Sequence, residues 1–188
     1  DVKTNITTFI FVTSGAVHEL SLLDEFPIEE GSYYLLDKGY IDFEKLHRIH
    51  KAPAYFVVRA KENYAFVRLH SHPVDKKSGV KCDQTVRLKN KVVSLKYPNE
   101  LRRVKYYDRD KNVELVFMTN NFEISPIEIA GLYKYRWKIE LFFKWIKQHL
   151  KVKSFWGYSL NAVKTQIYIA MITYLMVAIV KHELKLKQ

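Results

Sequence analysis

Residues 125–151 read SPIEIAGLYKYRWKIELFFKWIKQHLK, and the rest of the chain is organised around this stretch. Ser125 is a helix N-cap residue and Pro126 suits the first helical position. Glu128 stands three residues after the cap, where it closes a capping box. No Gly or Pro follows Gly131 within the stretch, so a single helix is expected from Ser125 to about Lys151. On that helix Tyr133, Arg136, Glu140 and Lys147 are spaced by three, four and seven, within an arc of roughly 60°. Leu132, Ile139, Phe142, Phe143, Ile146 and Leu150 lie beside the stripe and supply apolar surface to pack it down. A carboxylate flanked by cations on a packed helix suggests a metal ligand with phosphate-binding neighbours. Spacing alone also describes a solvated charged face with an ordinary Glu140–Lys144 pair.

The totals narrow the class. At 188 residues the chain is one domain, or one domain with an insertion. Hydrophobic residues make up 48% and aromatics 14%, which excludes a disordered chain. The formal net charge is +11, with 13 Tyr and 11 Phe interleaved among the cations. That balance favours a polyanion, nucleic acid ahead of an acidic membrane surface. The single cysteine, Cys82, excludes an internal disulfide framework and fits a reducing compartment. No signal peptide is visible at the start. The most apolar run, 167–180, falls short of a bilayer span and reads as a core helix. The chain opens on Asp1-Val2-Lys3-Thr4 without an initiator Met and reads as a segment cut within a domain.

Taken in order, 6–13 (ITTFIFVT) reads as a strand and 18–23 as a short helix. Residues 32–36 (SYYLL) read as a short buried strand that stops at Asp37, followed by Lys38-Gly39-Tyr40. An Asp at a strand exit presents a carboxylate where sheets bind ligands; an Asp before Gly also simply turns the chain. Asp42 is the expected N-cap of a helix over 43–51, which Pro53 stops. Residues 54–60 form a strong strand, and 64–119 turns β-rich and basic, with strands expected at YAFVRLH, TVRLK, KVVSLKY, LRRVKYY and VELVFMT. Its cations would form one phosphate-tracking surface or the solvated faces of a small sheet. Residues 70–79 read as a loop, and 108–112 as a hairpin turn. His70, His72 and Cys82 lack closed-site zinc spacing and a fourth ligand, so they read as two loop polar groups and a small buried thiol. A last helix is expected over 161–185, apolar nearly all round. No Gly-rich phosphate loop and no Gly-x-Ser-x-Gly elbow is present, which removes support for nucleotide triphosphatase and serine hydrolase readings.

Asp37-Lys38-Gly39-Tyr40, then a long β-rich stretch, then Tyr133-x2-Arg136-x3-Glu140-x6-Lys147 resembles the signature of bacterial insertion-sequence transposases. Within the Asp-Asp-Glu (DDE) superfamily it is similar to the insertion-sequence-four group. FVTSGAVHE, LLDKGYIDF, YFVVRAK, VFMTNNF and ELFFKWIKQHLKVKSFWG extend the likeness over essentially the whole chain.

The resemblance implies an α/β, ribonuclease H-like fold: a mixed sheet with flanking helices, and a β-rich insertion, about 61–120, between the second and third acidic residues. It implies that Asp37 and Glu140 are the second and third catalytic carboxylates and the metal ligands. They would hold two divalent ions, Mg²⁺ or Mn²⁺, for in-line attack on a phosphodiester. Tyr133, Arg136 and Lys147 would bind DNA phosphates. The implied partners are double-stranded DNA, both transposon ends and target, and a second copy in a homodimeric synaptic complex, with no membrane. The implied location is the bacterial cytoplasm, at the nucleoid. The family's first aspartate lies upstream of the residues given, on a first core strand missing here; neither Asp1 nor Asp24 replaces it. The 188 residues alone are therefore expected to be a partial catalytic domain without strand-transfer activity. Two other readings stand beside this one: an inactive DNA-binding remnant, and a protein-interaction surface on the 167–180 helix.

Overall fold

The computed structural model of the chain describes residues 12, 19–60, 64–149 and 155–184. Its strands are β1 (Tyr33–Leu36), β2 (Tyr55–Arg59), β3 (Phe66–His72), β4 (Val80–Leu88), β5 (Leu101–Asp108) and β6 (Val113–Thr119). They form one sheet in the order β1-β2-β6-β5-β4-β3. β1 and β2 run parallel, and every other neighbouring pair is antiparallel. A parallel pair needs a crossover, and α1 (Phe43–Lys51) supplies it. The other helices are α2 (Lys91–Lys96), α3 (Pro126–Lys134), α4 (Trp137–His149) and α5 (Leu160–Glu183). The chain divides into two compact units: Val17–Lys134, with the sheet and α1 to α3, and Asp1–Ala16 with Tyr135–Gln188, with α4 and α5. The fold class is the expected one, a mixed sheet with helices.

In the sheet unit, strand alternation feeds two cores. Phe56 and Val58 of β2 point to one face and meet Leu46 and Ile49 of α1, with Val86, Leu101 and Met118. Val57 points to the other face and joins Val104, Phe117, Ile129, Ala130 and Tyr133. β2 is therefore covered on both sides, which its unbroken apolar run anticipates. α1 begins as expected: the Asp42 carboxylate accepts from the Glu44 and Lys45 amides. Gly79, between β3 and β4, has φ +91°. A Cβ there would lie 2.9 Å from the Tyr106 ring and 3.0 Å from the Tyr107 carbonyl oxygen, so both backbone handedness and space require glycine.

Several sequence expectations need correction. The single helix over 125–151 is two helices. α3 ends at Lys134, and a turn at Tyr135 and Arg136 intervenes before α4. Lys138 N–H bonds to Tyr135 O and Ile139 N–H to Arg136 O, so the chain tightens to i→i−3 bonds where α4 starts. Residues 91–97 are no strand. Asn90 caps Val92 and Val93 and α2 forms, with Tyr97 just after it fully buried. Helical spacing puts Val93 and Tyr97 on one side, which outweighs the β-branched pair Val92-Val93. Among the described strands β1 pairs with β2 alone, and Tyr33 is 37% exposed with the rest of the strand half-buried, where a buried strand was expected. His70 and His72 lie in β3 rather than a loop, and Cys82 is only half-buried. The short helix expected over 18–23 is a 3-10 helix, Glu19–Asp24. The strand expected over 6–13 lies outside the described residues, Val12 apart.

α5 departs furthest from expectation. It spans 24 residues, Leu160–Glu183, about 36 Å, close to the helix expected over 161–185. By length and composition it is the one described helix long and apolar enough to cross a membrane, a property that core helices share. It is not a core helix here: Ala170 and Met171 are buried, while Ile169, Ile172 and Met176 are more than half exposed. Within its unit, the Phe142 and Trp145 rings of α4 pack on Tyr174 at 4.6 and 5.3 Å. Among the described residues α4 covers one side of α5, and a helix apolar all round has more than one side to cover.

Candidate active site

Asp37 sits where β1 ends. Its carboxylate Oδ1 accepts from the Lys38 amide at 2.6 Å and caps a short 3-10 turn, Lys38–Tyr40. The Tyr133 hydroxyl of α3 lies 3.4 Å from the same oxygen, a long contact. Tyr133 is 8% exposed, with its ring 4.8 Å from that of Phe117 on β6. The tyrosine expected to meet DNA phosphate is thus held against the sheet with its hydroxyl directed at Asp37. Asp37 does both things its sequence context allowed: it turns the chain and it stands at a strand exit.

The placement of Tyr133 follows from how α3 is anchored. The capping box forms as expected: Ser125 N–H donates to Glu128 Oε2 at 2.8 Å, and Glu128 N–H to Ser125 Oγ at 3.3 Å. The Ser125 hydroxyl and amide hold the Glu128 carboxyl below its ordinary range. Upstream, Asn121 Oδ1 accepts from the Glu123 and Ile124 amides, and its Nδ2 donates to the Tyr33 hydroxyl at 2.9 Å. Burial is the main cause that raises the Tyr33 hydroxyl pKa. Asn120 donates to Ala54 O and accepts from Phe56 N–H. Arg102 completes the anchor. It grips Asp83 with two bonds, Nε to Oδ1 at 2.9 Å and Nη2 to Oδ2 at 2.7 Å, and donates Nη1 to Ile124 O at 2.6 Å. Both side chains are under 10% exposed. Arg102 is therefore no part of a cationic surface. Lys105, Arg87 and Lys96 are paired with Glu114, Glu100 and Glu44, which further thins the basic face expected of this segment.

Glu140 lies in the first turn of α4. Its partner is Arg136, whose Nη2 donates to Oε1 at 2.7 Å. The Arg136 side chain is 20% exposed and that of Glu140 42%. Lys147, two helical turns after Glu140, is exposed on the same side of α4. Tyr133 and Asp37 thus belong to the sheet unit, and Arg136, Glu140 and Lys147 to the helical unit. Among the described residues, no three of His, Cys, Asp and Glu gather into a metal cluster. The carboxylate oxygens at 37 and 140 are hard donors of the kind Mg²⁺ and Mn²⁺ take.

A family model for the transposase DDE domain matches residues 3–176. The chain belongs to the DDE transposase family. It is 36% identical over 183 residues to a putative transposase, y4zB, of Sinorhizobium fredii, covering 95% of this chain and 51% of that protein. It is 31% identical over 145 residues to a probable transposase for insertion sequence element IS5377 of Geobacillus stearothermophilus, covering 74% and 37%. It is also 31% identical over 187 residues to a putative transposase for insertion sequence element IS4SA of Synechocystis, covering 93% and 49%. The chain spans about half the length of the curated relatives it matches, or less. Enzymes of this DDE family are polynucleotidyl transferases that use divalent metal ions. What motif reading missed is the support behind Tyr133: Asp83, Arg102, Asn120 and Asn121. Their signal in the sequence is faint, since an Asn pair after a strand announces a turn and an Arg in a basic run looks solvated.

Proposed function

We propose that this chain supplies catalytic-core residues of a DNA transposase that cleaves and joins phosphodiesters at insertion-sequence ends. Asp37 and Glu140 are the second and third catalytic carboxylates and the metal ligands. The observation that carries the reading is the Tyr133 contact with Asp37, which joins the first member of the Tyr-Arg-Glu-Lys array to the aspartate motif. Tyr133 orients the Asp37 carboxylate. Arg136, salt-bridged to Glu140 at 2.7 Å, fixes that carboxylate and brings a fixed positive charge for phosphate. Lys147 adds a point charge for the backbone. Two Mg²⁺ or Mn²⁺ ions, when bound, activate the attacking hydroxyl and neutralise charge on the leaving oxygen. The β-rich segment at about 61–120 is an insertion within the catalytic domain. The partners are double-stranded DNA at transposon ends and target, and a second copy of the protein in a synaptic homodimer, in the cytoplasm at the nucleoid.

The test pairs a chemistry variant with binding variants. In a chain completed with the first catalytic aspartate, Glu140→Gln removes Mg²⁺-dependent cleavage of element-end DNA and leaves DNA affinity nearly unchanged. Arg136→Glu or Lys147→Glu weakens binding across sequences and lowers the slope of log affinity against log salt by about one. Cleavage that survives Glu140→Gln would sink the catalytic assignment. Unchanged binding and salt slope in both cation variants would sink the phosphate assignment.

A further inference from the structure

The two partners of the Tyr133–Asp37 contact are joined a second time, at the other end of their elements, by one side chain. Asn121 follows β6 and has no exposed surface. Its Oδ1 accepts from the Glu123 and Ile124 amides, which shapes the turn that leads into the Ser125 cap of α3. Its Nδ2 donates at 2.9 Å to the hydroxyl of Tyr33, the first residue of β1. Its own N–H donates to Thr119 Oγ1 at 3.0 Å, which ties the joint to the end of β6. One buried amide therefore links the start of α3, which carries Tyr133, to the start of β1, which leads to Asp37.

From that joint the two elements run for nearly equal lengths. Tyr33, Leu35 and Asp37 alternate onto one face, since the backbone is still extended at Asp37, with φ −80° and ψ 164°. Leu35 packs against the cluster that holds Ile129, Ala130 and Tyr133. Four residues of extended chain from Tyr33 to Asp37 rise about 13 Å. Eight residues of helix from Ser125 to Tyr133 rise about 12 Å. Tyr133 thus comes level with Asp37, and hydroxyl and carboxylate stand 3.4 Å apart. A slip of α3 by one residue would shift the phenol by about 1.5 Å and turn it by about 100°, which takes it off the carboxylate. Apolar packing around Leu35 is non-directional and sets that register only coarsely. The bonds of the Asn121 amide are directional and set it closely.

We infer that Asn121 is a positioning residue: it sets the register of α3 against β1 and so places Tyr133 at Asp37, acting from the opposite end of β1. The inference rests on the proposed role of Asp37 and Tyr133 and adds the residue that brings them together.

The test places 3-fluorotyrosine at position 133 of the 188-residue chain and follows its fluorine resonance in the folded state, with urea midpoints measured alongside. Asp37→Asn alters the group beside the phenol and defines how far the resonance moves when the contact changes. Asn121→Ala should move it by a comparable amount. Tyr33→Phe cuts only the arm to β1 and should move it part of the way; it decides the matter alone if Asn121→Ala does not fold. Leu46→Ala, in the core on the other face of the sheet, should lower the urea midpoint and leave the resonance in place, which separates positioning from a general loss of stability. A resonance unmoved by Tyr33→Phe or by a folded Asn121→Ala would overturn the inference. So would one that Leu46→Ala moves as far. A resonance that ignores Asp37→Asn would instead remove the Tyr133–Asp37 contact that carries the proposed function.

Discussion

The sheet unit and the helical unit spend their apolar residues differently. Around β2, side chains on both faces are taken up: Phe56, Val57 and Val58 have no exposed surface. On α4 and α5 the reverse holds, with Ile139, Leu141 and Phe143 about half exposed and Met176 at 63%. Both segments carry long apolar runs, but only the first finds its burial within the described chain. Periodicity reports what a segment has to cover, while the cover itself comes from elements elsewhere. β2 has α1 on one side and α3 on the other, and α5 has α4.

Substitutions that exploit this contrast separate the two units energetically. The largest loss should come from Arg102→Met, which strands the buried Asp83 charge and frees the loop before α3. A cost of about 3–5 kcal/mol is expected, read as a lower urea midpoint. A loss under about 1 kcal/mol would mean that water reaches the pair. Phe56→Ala should cost a similar or slightly smaller amount, about 3–4 kcal/mol, from lost burial and a residual cavity. Its counterpart on α5, Ile172→Ser, should change stability by less than about 0.5 kcal/mol, because Ile172 is 56% exposed. If Ile172→Ser instead destabilises as much as Phe56→Ala, the contrast between the units is wrong.

Smaller effects sharpen the picture inside the sheet unit. Ser125→Ala removes one half of the capping box and should cost about 1 kcal/mol, with Tyr133 less firmly placed at Asp37. The weakest effect is a pH dependence at His50. Its Nδ1 lies 2.7 Å from the buried Tyr97 hydroxyl, and burial, with the neighbouring His47 second, holds its pKa below the ordinary 6.5. The unfolded chain therefore takes up the proton first as pH falls. Stability present above pH 6.5 should decline as pH drops below it toward the folded-state pKa, and His50→Gln should flatten that part of the thermal-midpoint profile.

Most strands were legible because their apolar or alternating runs are bounded by Gly, Pro, Asn and Asp, as at 54–60 and 101–119. α1 was legible from Asp42 and Pro53. The misreadings have physical causes. KVVSLKY carries strand propensity, but Asn90 supplies a cap and Tyr97 a buried anchor, and tertiary burial decides. The turn at Tyr135 and Arg136 has no Gly or Pro to mark it. At the site, Asp37, Tyr133, Arg136, Glu140 and Lys147 were legible as a spaced set of residue types. The Arg102–Asp83 pair that anchors the loop before α3 was not. Cross-strand partners such as Asp83 and Arg102 become neighbours only through strand register, which local sequence does not state.

Iron-mapped backbone cleavage tests the proposal that Asp37 and Glu140 are both metal ligands. Fe²⁺ bound in place of Mg²⁺, with ascorbate and peroxide, cuts the polypeptide close to its ligands. Two Mg²⁺-competed cuts are expected, one near residue 37 and one near residue 140, with both lost in Asp37→Asn and in Glu140→Gln. Cuts at only one of these positions, or cuts that persist in either variant, would contradict it.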